Sequence, residues 1–150
     1  LRSNSLSNAI PTELGGMTGM KSSFYLRSNR LSNAIPTELG GMTGMEYGFL
    51  LSSNSLSDAI PTELGALTGI TQYFYLQSNR LCGSVPADVA SIVSSASDSD
   101  VTTGNFVGPT PCAAVSGLVA LVGSKTSIPF HCVSFSFQFF FCFFVYLFCC

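Results

Sequence analysis

The sequence has no tryptophan, one histidine and few charged residues, which make up 9% of its 150 residues. Six lysines and arginines stand against eight acidic residues, no basic run occurs, and the formal net charge is −2. Proteins that bind nucleic acid do so through clustered positive charge, so this balance argues against a nucleic-acid partner.

Catalytic and metal-binding motifs are missing as well. The one histidine, His131, has no acidic or basic neighbour in sequence, and the many serines have no evident general base. None of the six cysteines has metal-ligand spacing with a histidine, no CxxC occurs, and no glycine-rich phosphate loop fits a strand–helix context. We therefore expect a protein that is not an enzyme and that uses no metal and no cofactor.

What the sequence does contain is a strict period of 25 residues over its first 90. The recurring residues are Asn4, Asn29, Asn54 and Asn79; Leu6, Leu31, Leu56 and Leu81; Ile10, Ile35, Ile60 and Val85; and Pro11, Pro36, Pro61 and Pro86. A fixed period of this length is typical of a solenoid, in which each repeat buries its apolar face only by stacking on the next.

The first part of each repeat predicts a short strand followed by a turn. Phe24 and Leu26 alternate with Tyr25, which is the pattern of a strand with one buried face. Stacked repeats would place such strands about 4.8 Å apart in a parallel sheet. The asparagine after each strand lies at the turn, where its amide can bond backbone groups of its own and the next repeat. We expect Asn4, Asn29, Asn54 and Asn79 to form a buried structural ladder.

The second part of each repeat predicts a bend and a return segment. Ile35 and Pro36 end an extended stretch, because proline lacks the N–H and fixes φ. Leu39, Met42 and Met45 then recur at intervals of three, which fits a loose helical or 3₁₀ segment with its apolar side inward.

The last repeat carries the motif most clearly, as Leu76, Asn79, Leu81, Gly83 and Val85-Pro86. This spacing resembles the L-x-x-N-x-L-x-G-x-I-P motif of plant-type leucine-rich repeats. The resemblance implies an α/β repeat fold: a leucine-rich-repeat solenoid with short parallel strands on its concave face and irregular or 3₁₀ return segments.

Two features depart from that family pattern. The family glycine is replaced in three of the four repeats, by Asn8, Asn33 and Asp58. These are the residue types other than glycine that best tolerate a positive φ, so the turn is strained but kept. The repeat is also one residue longer than usual. The extra residue lies near Lys21, Glu46 and Thr71, where we expect a bulge.

The resemblance also implies a ligand-binding face, formed by the outward positions of the concave strands. Carried onto this chain, that face contains Tyr25, Arg27, Arg30, Leu50, Tyr75, Gln77 and Arg80. Tyrosine and arginine often anchor interfaces, so a protein or carbohydrate ligand is expected there. Because every strand must expose some side chains, the alternative is a face that binds nothing specific.

The domain organisation predicted from composition has three parts. Residues 1–90 hold the repeats, of which the first is partial; residues 91–124 form a C-terminal cap or linker; and residues 125–150 form an apolar tail rich in phenylalanine and cysteine. Cys82 and Cys112 either form a disulfide that fastens the cap, which requires an oxidising compartment, or remain free thiols.

The tail leaves three interpretations open. Residues 128–150 contain no Asp, Glu, Lys or Arg and are long enough to span a membrane. The segment is therefore a transmembrane anchor, a lipid-anchor signal that is cleaved, or a non-coding stretch read as protein. The chain begins at Leu1 within a repeat, so we expect a fragment of a longer protein.

These observations together predict a protein- or carbohydrate-binding leucine-rich-repeat module. Its expected place is the cell surface or the secreted fraction, with membrane anchoring through the tail as one option. The alternatives are a structural scaffold or wall protein, and a truncated product without function.

Overall fold

The computed structural model describes residues 4–109 and 111–112 as a stack of coils, each about one repeat long. We number the coils 1 to 5, beginning at residues 4, 21, 46, 71 and 96. The strands are β1 (Ser7–Asn8), β2 (Ser22–Tyr25), β3 (Arg30–Ala34), β4 (Tyr47–Leu50), β5 (Ser55–Ala59), β6 (Gln72–Tyr75), β7 (Arg80–Gly83), β8 (Ser97–Asp100) and β9 (Phe106–Val107). The 3₁₀ helices are η1 (Thr12–Gly16), η2 (Thr37–Gly41) and η3 (Thr62–Ala66), and α1 (Ala87–Ser95) is the α-helix.

The strands form two parallel sheets along the stack. The four-stranded sheet has the order β2-β4-β6-β8, and the five-stranded sheet has the order β1-β3-β5-β7-β9. The first contains the strands that the alternation of Phe24, Tyr25 and Leu26 predicted. The second is formed by the extended stretch before each Ile-Pro or Val-Pro pair and by β9. The predicted fold class, a leucine-rich-repeat solenoid with parallel strands and 3₁₀ return segments, is confirmed.

The core lies between the two sheets and the return segments, and a phenylalanine stack runs through it. Phe24, Phe49 and Phe74 are register partners in the four-stranded sheet. Their ring centroids lie 5.2 and 5.4 Å apart in stacked orientation, and all three are buried. The next partner in the register is Ser99, so the stack ends at coil 5.

The return segments are narrow because of glycine. In η2, Leu39 is fully buried, and a Cβ at Gly40 would collide with the backbone carbonyl of Glu63 in the next coil. Coil 4 has no glycine in the corresponding segment, and there the chain forms the α-helix α1, which buries Val89 and Ile92. Close stacking of 3₁₀ turns therefore depends on these small residues.

Three sets of equivalent residues have positive φ, and the first lies at the position of the family glycine. Asn8, Asn33 and Asp58 have φ of 70°, 67° and 65°, and Gly83 has 75°. The expectation that Asn and Asp would keep the turn of the family glycine is thus confirmed.

The second set shows where the extra residue of each repeat is accommodated. It consists of Ser23, Gly48, Tyr73 and Asp98, with φ of 68°, 79°, 59° and 63°. The register of the four-stranded sheet steps over these positions. The bulge predicted near Lys21, Glu46 and Thr71 therefore lies two residues further along. At the predicted positions the backbone ladder is intact, since Glu46 N–H donates to the Lys21 carbonyl at 2.7 Å.

The repeat array continues beyond the predicted boundary at residue 90, which falls inside α1. Strands β8 and β9 extend both sheets, with Phe74 paired to Ser99 and Cys82 to Phe106. The segment predicted as a cap or linker (91–124) thus begins with a coil that follows the repeat pattern.

The apolar tail (125–150) and the predicted span 128–150 lie outside the described residues. In the part of the chain that the structure does describe, no helix has the length and apolar character needed to cross a membrane.

Candidate functional site

The asparagine ladder fixes the point at which each strand of the four-stranded sheet ends. The Asn54 amide donates to the carbonyls of Leu26 and Leu51, both at 3.0 Å, and its Oδ1 accepts from the Leu31 N–H at 3.1 Å. One side chain therefore holds three backbone groups in two coils. Asn29 repeats this arrangement towards coil 1, where its Oδ1 accepts from the Asn4 N–H at 3.2 Å.

The ladder has a member that the sequence period did not reveal. Asn105 Oδ1 accepts from the N–H groups of Asn79 and Leu81, both at 3.1 Å. It lies 26 rather than 25 residues after Asn79, so a strict period of 25 passes over it. The sequence contains one signal of coil 5, because Pro111 follows Pro86 by 25 residues.

The outward side of the four-stranded sheet carries the predicted binding residues in rows across the strands. Tyr25, Leu50 and Tyr75 are register partners, followed by Asp100. Both tyrosines are half-buried. Leu50, which the sequence placed among the binding residues, is only 4% exposed, because it lies in the row between the two tyrosines. It therefore offers almost no surface to a partner.

Two exposed tyrosines of this sheet were not predicted. Tyr47 is 45% exposed and Tyr73 is 40% exposed. Simple alternation would place Tyr47 on the same side as Phe49, yet Tyr47 is exposed at the start of β4, immediately before the bulge at Gly48. Tyr73 lies in the bulge itself, and its ring centroid is 6.4 Å from that of Tyr75.

The bulge also brings side chains of one coil over the next. A Cβ at Gly48 would lie 2.7 Å from Cε1 of Tyr25, so the Tyr25 ring lies against the backbone of coil 3. In the same direction along the stack, the Tyr75 hydroxyl donates a hydrogen bond to the Asp98 carboxylate of coil 5. These contacts restrict the side-chain conformations of Tyr25 and Tyr75.

The hydrogen bond to Asp98 has an electrostatic consequence. Together with desolvation and the negative charge of Asp98, it raises the pKa of Tyr75 to about 12, while Arg27 acts in the opposite direction. Tyr75 is consequently a neutral phenol at all physiological pH values.

The neighbouring row contains the other predicted binding residues of this face. Backbone hydrogen bonds from Ser28 to Ser52 and from Ser53 to Gln77 place Arg27, Ser52 and Gln77 in one row. Arg27 is exposed, whereas Ser52 is buried. Gln77 is half-buried, and its Oε1 is a buried acceptor that makes no hydrogen bond.

Arg30 and Arg80 do not belong to this face. They are the first residues of β3 and β7 in the five-stranded sheet. The chain turns between Arg27 and Arg30, where Ser28 has φ of 56°, and the equivalent Ser78 has φ of 58°. The sequence-based set therefore combined two different surfaces, because it did not resolve this turn.

The candidate site that results is a continuous surface of the four-stranded sheet, which we call the tyrosine face. Its members are Tyr25, Arg27, Tyr47, Leu50, Tyr73, Tyr75, Gln77, Asp98 and Asp100.

Cys82 and Cys112 are joined by a disulfide, with their Cα atoms 5.0 Å apart and a sequence separation of 30. Cys82 is buried in β7, so the bond ties the end of the described chain to coil 4. It leaves the tyrosine face open, because β7 belongs to the other sheet.

Among the residues that the structure describes, the remaining charged groups form one ion pair between coils and no metal centre. Lys21 Nζ and Glu46 Oε1 lie 2.6 Å apart on the surface, and hydrogen bonding to Glu46 together with its charge raises the pKa of Lys21. Within residues 4–109 and 111–112, no three His, Cys, Asp or Glu side chains are grouped so that they could hold a metal ion.

No protein-family model and no curated protein sequence matches this chain. Solved structures do match it, and three from Arabidopsis thaliana represent them. The BIR2 ectodomain is 34% identical with a TM-score of 0.60 over 75% of this chain and 56% of that chain. A chain of the BIR3–SERK2 complex is 26% identical with a TM-score of 0.59 over 75% of this chain and 58% of that chain.

The third structure is the leucine-rich-repeat ectodomain of the plant membrane receptor kinase GASSHO1/SCHENGEN3 in complex with CASPARIAN STRIP INTEGRITY FACTOR 2. It is 25% identical with a TM-score of 0.55 over 65% of this chain and 12% of that chain. The chain thus spans between 12% and 58% of the length of these three structures.

Proposed function

The chain is a leucine-rich-repeat solenoid of the plant type, and we propose that it is a protein-binding module that recognises its partner through the tyrosine face. The observation that carries the proposal is the pair of exposed rings, Tyr47 and Tyr73, on a sheet whose backbone is fixed coil by coil. A rigid surface with exposed tyrosines loses little conformational entropy when a partner binds.

The similar structures support binding as the function. One is named as a complex between BIR3 and SERK2, and another as an ectodomain in complex with CASPARIAN STRIP INTEGRITY FACTOR 2. Those partners belong to those proteins. For this chain we infer only the class of activity, which is recognition of a protein or peptide without catalysis.

Variation along the tyrosine face favours recognition over a purely structural role. The row of Tyr25 continues as Leu50, Tyr75 and Asp100. By contrast, residues 3–20 and 28–45 are identical except for Ser5 and Arg30. In a scaffold, the tyrosine face would need no more sequence variation than the rest of the repeat. A binding surface, by contrast, requires distinct residues in each coil.

The proposed location is the cell surface or the secreted fraction. The similar BIR2 structure is an ectodomain, and GASSHO1/SCHENGEN3 is described as a membrane receptor kinase. The disulfide between Cys82 and Cys112 supports the same location, because disulfides persist in oxidising compartments.

The proposal is tested by screening the full chain against an array of extracellular proteins and peptides, with a glycan array in parallel. The double variant Tyr47→Ala/Tyr73→Ala removes the exposed rings, and we expect it to weaken binding about tenfold or more. Arg80→Ala is the matched control, since Arg80 is exposed on the other sheet.

The outcomes separate the alternatives. Equal binding by both variants would place the partner elsewhere and reject the tyrosine face as the site. Binding to glycans alone would make the module a carbohydrate-binding one. A chain that binds neither array would favour the scaffold.

A further inference from the structure

The charges on the tyrosine face are separated along the stack. Coil 2 contributes Arg27, and coil 5 contributes Asp98 and Asp100. The positions between them, in coils 3 and 4, carry tyrosine, glycine, leucine, serine and glutamine. Glu46 lies just before β4 and is paired with Lys21. One end of the face is therefore cationic, the other is anionic, and the middle is aromatic and neutral.

The cationic end is available to a partner. Arg27 is exposed, and the ion pair found among the described residues is the one between Lys21 and Glu46. Because no carboxylate neutralises it there, Arg27 presents a full charge with five N–H donors.

The anionic end contains two carboxylates. Asp98 is exposed and accepts a hydrogen bond from Tyr75. Burial acts against the charge on Asp100, but hydrogen bonds from Thr103 and Thr102 outweigh it and lower the pKa of Asp100. Two fixed negative charges therefore lie at this end.

The spacing of the two ends fits an extended chain. Coil 2 and coil 5 are three strand steps apart, which is about 14 Å along the stack at the usual spacing of parallel strands. The row of Arg27 lies two residues further along the strands than the row of Asp100. An extended peptide advances about 3.3 Å per residue, so side chains about four residues apart span this distance.

Resting on the proposed function, we propose that the tyrosine face binds an extended peptide segment along the stack, with an acidic side chain at Arg27 and a basic side chain about four residues away at Asp98 and Asp100. The peptide residues between these two charged side chains contact Tyr47 and Tyr73. A neutral glycan gains no electrostatic attraction from opposite charges at the two ends of the face. An acidic polymer is repelled at coil 5, and a basic one at coil 2.

The test uses immobilised full chain and a synthetic library of short peptides. Two library positions about four residues apart carry Glu and Lys, Lys and Glu, Glu and Glu, Lys and Lys, or Gln and Gln, and the intervening positions are randomised. We expect one of the two mixed-charge sets to be retained about fivefold better than the Gln set, and both like-charge sets to be retained less than the mixed set.

Two matched variants identify the residue responsible. Arg27→Glu makes both ends of the face anionic, so the preference should change to the Lys and Lys set. Arg80→Glu makes the same change of charge on the five-stranded sheet, and the mixed-charge preference should remain.

Three results would overturn the inference. Retention of the Gln set as strong as the mixed set would show that the charges do not select the ligand, and the proposed function would still stand. The same change of preference in Arg80→Glu as in Arg27→Glu would indicate net charge alone. Failure to retain any peptide would reject a linear segment as the ligand, while the protein array tests the proposed function independently.

Discussion

Asn29, Asn54, Asn79 and Asn105 each satisfy backbone groups of two coils with one side chain. Asn79 is 6% exposed, and its amide donates to the carbonyls of Leu51 and Leu76, both at 3.0 Å. Its Oδ1 accepts from the Leu56 N–H at 3.1 Å. No other side chain type presents one acceptor and two donors at this length, which explains why the turn position is invariant among the repeats.

The substitution Asn79→Ala therefore leaves several buried backbone groups without partners. Each unsatisfied group costs about 1–3 kcal/mol, so we expect the free energy of unfolding to fall by about 3–5 kcal/mol. Chemical denaturation monitored by circular dichroism measures the change. Asn29→Ala should cost less, because the N–H groups that Asn29 accepts from belong to exposed residues of coil 1. An equal or larger loss in Asn29→Ala would contradict this account of the ladder.

Tyr75 provides a second prediction at the level of one residue. Its pKa is raised from 10.0 to about 12, chiefly by the hydrogen bond to Asp98. Because the pKa of the folded state is the higher one, the stabilisation is complete below pH 10 and is lost as the pH rises through about 12. An ultraviolet titration should show one tyrosine ionising late. In Asp98→Asn that pKa should fall towards 10, and in Tyr75→Phe the late step should disappear. A late step that persists in Tyr75→Phe would assign it to another tyrosine.

Residue roles could be predicted from the sequence where they repeat. The period identified the ladder positions, and the resemblance to the family motif, whose glycine is replaced there, identified Asn8, Asn33 and Asp58 as residues that take positive φ. The sequence did not identify Tyr47 as exposed, because Tyr47 precedes a bulge that the side-chain pattern does not locate, and it did not identify Leu50 as buried, because Leu50 lies in a row between two tyrosines of neighbouring coils. Exposure on a strand depends on register, and a shift of one residue exchanges the two faces.

At the level of elements, the strands, their parallel pairing between repeats and the 3₁₀ segments followed from the repeat pattern, while the division of the strands into two sheets did not. Arg30 and Arg80 were assigned to the binding face because they lie close to Tyr25 and Tyr75 in sequence. The turn between them moves both arginines to the other sheet. The sequence did not predict coil 5, because Asn105 lies one residue beyond the position that the period of 25 gives. In addition, residues 94–104 are rich in serine, aspartate and threonine.

Among the described residues, the disulfide between Cys82 and Cys112 links separate elements of the fold covalently. It closes a loop of 30 residues, from β7 through α1, β8 and β9. In the chain-entropy model, such a link stabilises by about 3–4 kcal/mol. We expect Cys112→Ala to lower the free energy of unfolding by about this amount in chemical denaturation under oxidising conditions.

A reductant provides the control for this prediction. Reduction of the unmodified chain should lower its stability to that of Cys112→Ala, and it should leave the variant unchanged. If the reductant destabilises both proteins equally, the effect arises from other cysteines, and the link between Cys82 and Cys112 is not the stabilising one.

At the level of the whole molecule, the stack is quasi-one-dimensional, because each coil pairs only with its neighbours. Both sheets and the phenylalanine stack follow this order, from Phe24 to Phe49 to Phe74. Stability in such an array is approximately a sum of coil and interface contributions. The same additivity applies to the tyrosine face, because its two charged ends belong to coil 2 and coil 5, which are not neighbours.

A perturbation at coil 5 should therefore remain local. Asn105→Ala removes the acceptor of the Asn79 and Leu81 N–H groups and the donor to the Leu76 carbonyl. Native-state hydrogen exchange should speed up about tenfold or more at Asn79 and Leu81, because each lost bond costs about 1–3 kcal/mol. The Leu31 N–H lies in coil 2, three coils from Asn105, and is held by Asn54, so it should exchange at its original rate. Acceleration of similar size at Leu31 would show that the coils unfold as one unit, and a ligand held at coil 5 would then also order coil 2.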